Sequence, residues 1–474
     1  MYAKHVKLKG YRSFKKEQVL ELSYPGRDGK KYGLNVLVGP SSSGKTSILK
    51  LFQNRGYGLD TDEVRSNASI EFSDVAGNRQ VTKYSSLSTE ATTQLIPEGI
   101  GPQFMPLILP YQRQLYFSTT NPSSGYVPSD SNPRSLIFHT ASSLSSHFSI
   151  SQKLNDDTIA STLASCLDKP GVSEILMSKV RELIPGFGNL RVIRSGNSKS
   201  IRYVFPNSTT TIDANNLSDG TKFIIGLCLY IVIYDADLSG LNHTPPPNIL
   251  VIDEPELGLF PQVQKKVFAI LQKISENTQV IYATHSPYFL DWFALLDGAR
   301  IFRTNVRRKI AEVRELNVSD DVIKVLKTQP RLLNQYDLVS REIFFAEKIV
   351  FVEGQEDANI LRNYIVKNGI EFSWEFYGYG VGGADRAASF VRIAKNLGIQ
   401  CAAIFDANVE TGTRQECIDL LGKDAVKVWS ADDIRDKPDK KTPISGIFDV
   451  AGVAPKSEQL NTEVLGLLQE IESL

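Results

Sequence analysis

The chain has 474 residues, of which 42% are hydrophobic and 22% charged, and its 53 Lys and Arg balance 53 Asp and Glu. This is the composition of an ordinary globular protein, and a single core seldom grows past about 250–300 residues, so two domains are expected. Zero net charge excludes binding of nucleic acid through bulk basicity; any basic surface must be local.

Residues 1–50 read as the strands HVKLKGYRSF and LNVLVG feeding a Gly/Ser loop and the helix KTSILKLF. Residues 67–84 alternate apolar and polar side chains, as strands exposed on one face do. Ser, Thr, Pro and Gly then dominate residues 85–135, around FMPLILPYQRQLYF, which reads as a core strand between loops. TIASTLASCL and VSEILMSKVRELI read as helices, and LRVIR and SIRYVFP as strands. FIIGLCLYIVIY (223–234) suits a buried helix. NILVIDEPELGLF (248–260) is a buried strand ending in acids, KKVFAILQKISEN an amphipathic helix and QVIYATHSP another buried strand. This alternation implies a mainly parallel sheet with crossover helices. After residue 335 the pattern restarts with the strand KIVFVEG and the helix ANILRNYIVKNG. EFYGYGVGG (a strand and glycine turn), the helix RAASFVRIAKNLG and the strand CAAIFDAN follow. Sustained heptads and internal repeats are absent, which argues against a long coiled coil.

Cys166, Cys228, Cys401 and Cys417 are scattered without a CxxC pair, so reduced thiols are expected rather than structural zinc. MYAKHVKLKGYRSF lacks the apolar segment of a secretory signal. No apolar run reaches the roughly 18–20 residues of a membrane span. A soluble cytoplasmic protein with no membrane partner is the expectation.

GPSSSGKT (39–46) fits GxxxxGK[ST] between an expected strand and an expected helix. Glycines let backbone N–H groups wrap phosphate oxygens at a helix N-terminus. Lys45 then reaches the β- and γ-phosphates of ATP and Thr46 holds Mg²⁺. Gly39, Pro40, Ser41, Ser42, Ser43, Gly44 and Ser47 complete the nucleotide loop. Asp253, ending the strand ILVID, is the partner acid for Mg²⁺, and Glu254 is placed to polarise the attacking water.

LSDG (217–220) is similar to the signature of ABC-type ATPases, with Ser218 and Gly220 at its defining positions. His285 in YATHSP stands where such heads carry a histidine that senses the γ-phosphate. All four elements occur in ABC order, so this half resembles the ABC ATPases of the SMC/Rad50 kind. The resemblance implies that Ser218 caps the nucleotide of a second head, in a homodimer or higher homo-oligomer. Gln112 is the candidate Q-loop residue, with Gln114 its competitor.

In the second half, KIVFVEGQED (348–357) is an apolar strand ending at Glu353, with Asp357 four residues on, and CAAIFD ends at Asp406. Acids at the C-terminal ends of neighbouring parallel strands converge on one edge, where ligands bind. Their oxygens suit Mg²⁺ or Mn²⁺, which can generate hydroxide and stabilise a leaving oxygen in phosphodiester cleavage.

This half resembles the Toprim fold, whose pattern is a Glu after the first strand and DxD after a later one. An ABC-type P-loop ATPase domain followed by a smaller Toprim-like parallel-sheet domain is the architecture of the OLD (overcoming lysogenization defect) family. The resemblance implies an α/β ATPase domain over residues 1–335, with a helical insertion near 140–190, and a nuclease domain over 336–474. It also implies metal-dependent DNA cutting in antiphage defence. The chain would act alone or with a partner from the same operon, such as a retron reverse transcriptase and its DNA–RNA product. ELGLFP (256–261) departs from the family's ELHLHP, and Asn408 stands where the family has Asp. Asn supplies a neutral carbonyl oxygen to the metal and removes one charge; Glu410 stands two residues on.

Residues 300–314, RIFRTNVRRKIAEVR, carry six basic side chains and one acid. They are either a patch for sequence-independent DNA contact or a solvated hairpin. RDKPDKK (435–441) reads as a surface loop whose Lys440 or Lys441 lies within reach of a scissile phosphate. The competing function is an ATPase sensor or scaffold with an impaired Toprim domain that holds and releases a partner effector.

Overall fold

The computed structural model describes residues 2–53, 67–73, 79–85, 92–96, 107–109, 118–119, 163–195, 198–234, 249–307, 309–316, 341–377 and 380–474. The chain divides into two compact units, Met1–Val36 with Thr46–Phe289, and Leu37–Lys45 with Leu290–Leu474.

In the first unit, β1 (Tyr2–Leu8), β2 (Gln18–Glu21), β4 (Asn67–Ser73), β5 (Arg79–Ser85) and β6 (Thr92–Ile96) form an antiparallel sheet in the order β2-β1-β4-β5-β6. Ala68, Ile70 and Phe72 of β4 are buried in alternation, as ASIEFSD foretells. By contrast β3 (Leu34–Val38), β12 (Ile249–Asp253) and β13 (Gln279–Ala283) are buried at every position. Strands covered on both faces read as continuous apolar runs, and β12 pairs in parallel with β13 and with β7 (Leu107–Leu109). Of FMPLILPYQRQLYF (104–117), the described residues are the strand β7; β8 (Ser118–Thr119) lies just beyond the segment and pairs with β10 (Ser198–Val204).

Gln279 is a fully buried polar residue in this apolar setting. Its amide accepts from Ala3 N at 2.8 Å and donates to the carbonyls of Ala3 and Ser23 at 2.7 Å each, so nothing is left unsatisfied. Helix α1 (Lys45–Gln53) follows the Gly/Ser loop. The hairpin β9 (Asn189–Ser195) and β10 (Ser198–Val204) extends to β11 (Thr211–Asp213). Helices α2 (Pro170–Leu183) and α3 (Asp219–Tyr234) share a core with this hairpin, through Leu176, Val180, Ile201, Ile225 and Cys228. Helix α4 (Pro261–Ile274) opens with Pro at its first turn, where no N–H is needed.

In the second unit β14 (Arg300–Arg307) and β15 (Ile310–Glu315) form an antiparallel hairpin. A four-stranded parallel sheet follows in the order β17-β16-β18-β19, from β16 (Lys348–Phe351), β17 (Glu375–Phe376), β18 (Gln400–Phe405) and β19 (Val426–Val428). Helices α5 (Gln355–Asn368), α6 (Ala387–Asn396) and α7 (Thr411–Leu421) alternate with these strands, and α8 (Glu458–Glu472) closes the chain. From β16 the chain moves to one side, to β17, and then crosses to the other, to β18. The direction of winding therefore reverses between β16 and β18, where a crevice opens at the strands' C-terminal ends. Among the described residues, no helix is long and apolar enough to cross a membrane.

Candidate functional site

The Gly/Ser loop begins with backbone that only glycine can adopt here. Gly39 has φ +132°, and a Cβ there would lie 2.1 Å from the Thr304 carbonyl oxygen. Only glycine fits so close an approach. Ser43 is buried and its hydroxyl shares a hydrogen bond with that of Thr304. Lys45 is folded back over the loop, its Nζ donating to the carbonyls of Gly39 and Pro40 at 2.8 Å each. Ser41 and Ser42 are exposed, and Pro40, Gly44 and Thr46 partly buried. Ser47 is held by Tyr11 and Arg12, the Arg12 guanidinium donating to its Oγ at 3.0 Å.

In the first unit Asp253 is buried at the end of β12. Glu254 follows in the left-handed region at φ +48°, its N–H donating to the Ala283 carbonyl at 2.9 Å. His285 Nε2 lies 3.9 Å from Glu254 Oε1. Ser218 is exposed at the start of α3, where its Oγ accepts from Thr221 N at 3.3 Å. Gly220 is buried, and a Cβ on it would stand 2.2 Å from the Gly258 carbonyl oxygen. The signature turn and the turn after the acidic strand are thus in backbone contact. Gln112 and Gln114 lie outside the described residues.

The crevice of the parallel sheet is a cleft of about 860 Å³ whose lining includes Glu353, Asp357, Asp406, Asp433, Arg435 and Lys437. Glu353 Oε1 accepts from the Asp406 backbone N–H at 2.8 Å, tying the ends of β16 and β18 together. The N–H groups of Gly382 and Gly383 donate to the Glu353 carbonyl, each at 3.0 Å. Asp357, in the first turn of α5, accepts from Gly354 N at 2.6 Å.

Burial pushes the Asp406 carboxyl up to about 8, with the charges of Asp357, Glu353 and Asp433 adding to it. Burial likewise takes Asp357 to about 7, against the Gly354 hydrogen bond and reinforced by Glu353 and Asp433. Glu353 is raised by burial, less the hydrogen bond from Asp406, with Asp433 adding to the rise. Like charges are crowded here beyond what the local cations offset.

Asp433, Arg435, Lys437 and Glu356 also line the cleft, and no motif marks them. Asp433 is buried, and Lys437 bridges it at 2.6 Å and Glu356 at 3.1 Å. Burial would raise Glu356, yet the hydrogen bonds from Arg435 and Lys437 outweigh it and hold its carboxyl below the usual range. RDKPDKK is therefore not simply surface: its first and third residues face the carboxylates, while Lys440 and Lys441 are exposed. Asn408 is exposed and outside the cleft lining, its Nδ2 donating to the Asp432 carbonyl at 2.9 Å, and Glu410 is exposed as well. Among the described residues no three His, Cys, Asp or Glu side chains are grouped to hold a metal ion as they stand. Asp357 is turned to Gly354 N and Asp433 to Lys437. The donor set itself, clustered carboxylates whose mutual repulsion a cation would relieve, has the chemistry of a divalent site.

Of the basic stretch at 300–314, Arg303 is withdrawn from any DNA-contacting surface, while the side chains of Arg307 and Arg308 lie outside the described residues. Arg303 is fully buried and donates to the carbonyls of Phe344, Leu397 and Ala346. Arg300 pairs with Glu315 at 3.0 Å and Arg314 with Glu312 at 3.5 Å. Residues 301–304 of β14 are buried on both faces, so a mid-strand arginine must spend its donors on carbonyls. Lys309 at the turn remains exposed.

Two families match the chain: AAA ATPase domain over residues 122–290, and overcoming lysogenization defect protein-like TOPRIM domain over residues 344–407. An OLD nuclease of Thermus scotoductus is 30% identical over 112 residues, 23% of this chain and 21% of that protein. Endonuclease GajA of Bacillus cereus is 25% identical over 189 residues, 35% of this chain and 27% of that protein. The match thus spans less than two thirds of either relative's length. A Pyrococcus furiosus Smc head domain aligns over 69% of this chain and 99% of its own at 13% identity, with a TM-score of 0.45. The chain joins an ATPase domain to a Toprim domain of the OLD type, the two-domain architecture that its motifs resemble.

Proposed function

We propose that this chain is an ATP-hydrolysing, divalent-metal-dependent DNA endonuclease acting in antiphage defence. The ATPase domain takes residues 1–335 and the nuclease domain 336–474. The observation that carries this reading is the cleft at the switch point of the parallel sheet, where Glu353, Asp357, Asp406 and Asp433 meet. Glu353 and Asp406, with Asp357 and Asp433 once turned from Gly354 and Lys437, would hold Mg²⁺ or Mn²⁺. Such an ion would supply Lewis-acid activation of water and charge stabilisation at a scissile phosphate. The chain's own groups do the rest: Glu353 locks β16 to β18, and Lys437 and Arg435 supply positive charge beside the anion's path.

In the head, Lys45 and the loop from Gly39 to Ser47 hold the ATP phosphates, and Thr46 and Asp253 hold the nucleotide's Mg²⁺. Glu254 orients the water, and His285 beside it senses the γ-phosphate. Ser218 is exposed on α3, which suits a role on the nucleotide of a second head in a homodimer. Partners from the same operon, including a retron nucleoprotein, fit the family resemblance.

Plasmid nicking with Mg²⁺ or Mn²⁺ tests the nuclease: wild type is expected to cleave and Glu353→Ala to lose it. Cleavage that survives Glu353→Ala would place the chemistry elsewhere. The sensor or scaffold reading is favoured by Asn408, which is committed to the Asp432 carbonyl and stands outside the cleft lining. It prevails if no metal supports cleavage.

A further inference from the structure

Glu256 lies in the turn after the acidic strand, and neither the nucleotide loop nor the signature uses it. Its two carboxylate oxygens are both engaged by the segment that carries His285. Oε1 accepts from the His285 backbone N–H at 2.6 Å, and Oε2 from the Thr284 hydroxyl at 2.8 Å. That hydroxyl in turn accepts from Ser286 N at 3.0 Å, and Ser286 Oγ bonds Gln264 Oε1 at 2.6 Å. The histidine's backbone is thus anchored on both sides of its Cα, while its ring stays partly exposed, 3.9 Å from Glu254. On the other flank of the same turn, Gly258 O abuts Gly220.

We infer that Glu256 is a positioning residue for ATP hydrolysis: it fixes the backbone of His285 so that the imidazole stands opposite Glu254. A carboxylate is suited to this because it accepts two donors at once, with no proton of its own in the way. A charged acceptor also makes the stronger bond to a backbone N–H. A catalytic pair loses rate steeply when its geometry shifts by about an ångström. The inference rests on the ATPase reading and adds to it a residue outside both the nucleotide loop and the signature.

The test is steady-state ATP hydrolysis by the full chain. Glu256→Ala is expected to lower kcat about tenfold with KM for ATP within about twofold. Glu256→Gln keeps one acceptor for His285 N–H and should stay within about threefold of wild type. In a His285→Ala background, Glu256→Ala should cost less than about twofold more, because the two residues act as one unit. Equal losses in both backgrounds, or a raised KM with unchanged kcat, would show a structural role only and overturn the inference. So would a His285→Ala protein of full kcat. Lys45→Ala separates the two levels. If wild type and Lys45→Ala are equally inactive, the ATPase reading fails and the inference with it. If wild type turns over and Glu256→Ala matches it, only the inference fails. Thermal melts of each variant identify any that do not fold.

Discussion

Replacing Asp406 by asparagine should stabilise the cation-free protein at pH 8 while removing cleavage. Asp406 has its carboxyl raised from 3.8 to about 8, by burial first and then by Asp357, Glu353 and Asp433. A folded-state value above the unfolded one means that the native protein holds a proton the unfolded chain has released. Stability from this group is therefore full below about pH 4 and is lost as pH rises towards 8. For an isolated group that loss reaches about 5 kcal/mol at pH 8. Asp357 shares the repulsion and relaxes when Asp406 is neutral, so the net gain expected from Asp406→Asn is about 2 kcal/mol. That corresponds to a melting temperature higher by about 4–8 °C in EDTA. The gain should shrink on acidification to pH 4, and Mn²⁺ should raise the wild-type melting temperature at pH 8 but not the variant's. Melting curves across this range decide it. An unchanged or lower melting temperature for Asp406→Asn at pH 8, or a gain independent of pH, would refute the crowding of charge that underlies the proposed metal site.

Arg303→Met should cost about 3 kcal/mol of stability, since it strips donors from buried carbonyls. DNA affinity per folded molecule should be unchanged, as a denaturant melt and a binding titration would show. Lys437→Gln removes the ammonium shared by Asp433 and Glu356 and should tighten Mn²⁺ binding about tenfold by calorimetry. Weaker Mn²⁺ binding would mean instead that Lys437 organises the cleft for the cation.

The legible half of each site sits where a buried strand stops. Asp253, Glu353 and Asp406 each follow an unbroken apolar run, and an acid there marks the sheet edge whatever the rest of the fold does. Gly39 and Lys45 were legible because their spacing is fixed by the phosphates they would wrap. Asp433, Arg435 and Lys437 lie in a stretch with only isolated bridges, such as Lys437 to Ile444, so no periodicity announces which side chains turn inward. Arg303 misled for a related reason: the first half of β14, residues 301–304, is buried, and charge on a covered stretch of strand looks in sequence like charge on a bare one. Glu256 follows a proline in a turn, a position that usually faces water. Only its contact with Thr284 and His285 distinguishes it.

A Cβ on Gly380 would lie 2.5 Å from the Gly354 backbone, so the turn after β17 and the turn after β16 touch main chain to main chain. With the Gly382 and Gly383 bonds to Glu353, that contact makes one side of the acidic cleft a fixed jaw. The opposite side, from Asp433 to Lys437, is irregular chain held by ion pairs that water and cations compete for. Any change in the width of the cleft, whether to admit a cation or a strand of nucleic acid, must then come from that second jaw. Substitutions that alter how fast the site loads, and not how well it works once loaded, are to be sought there.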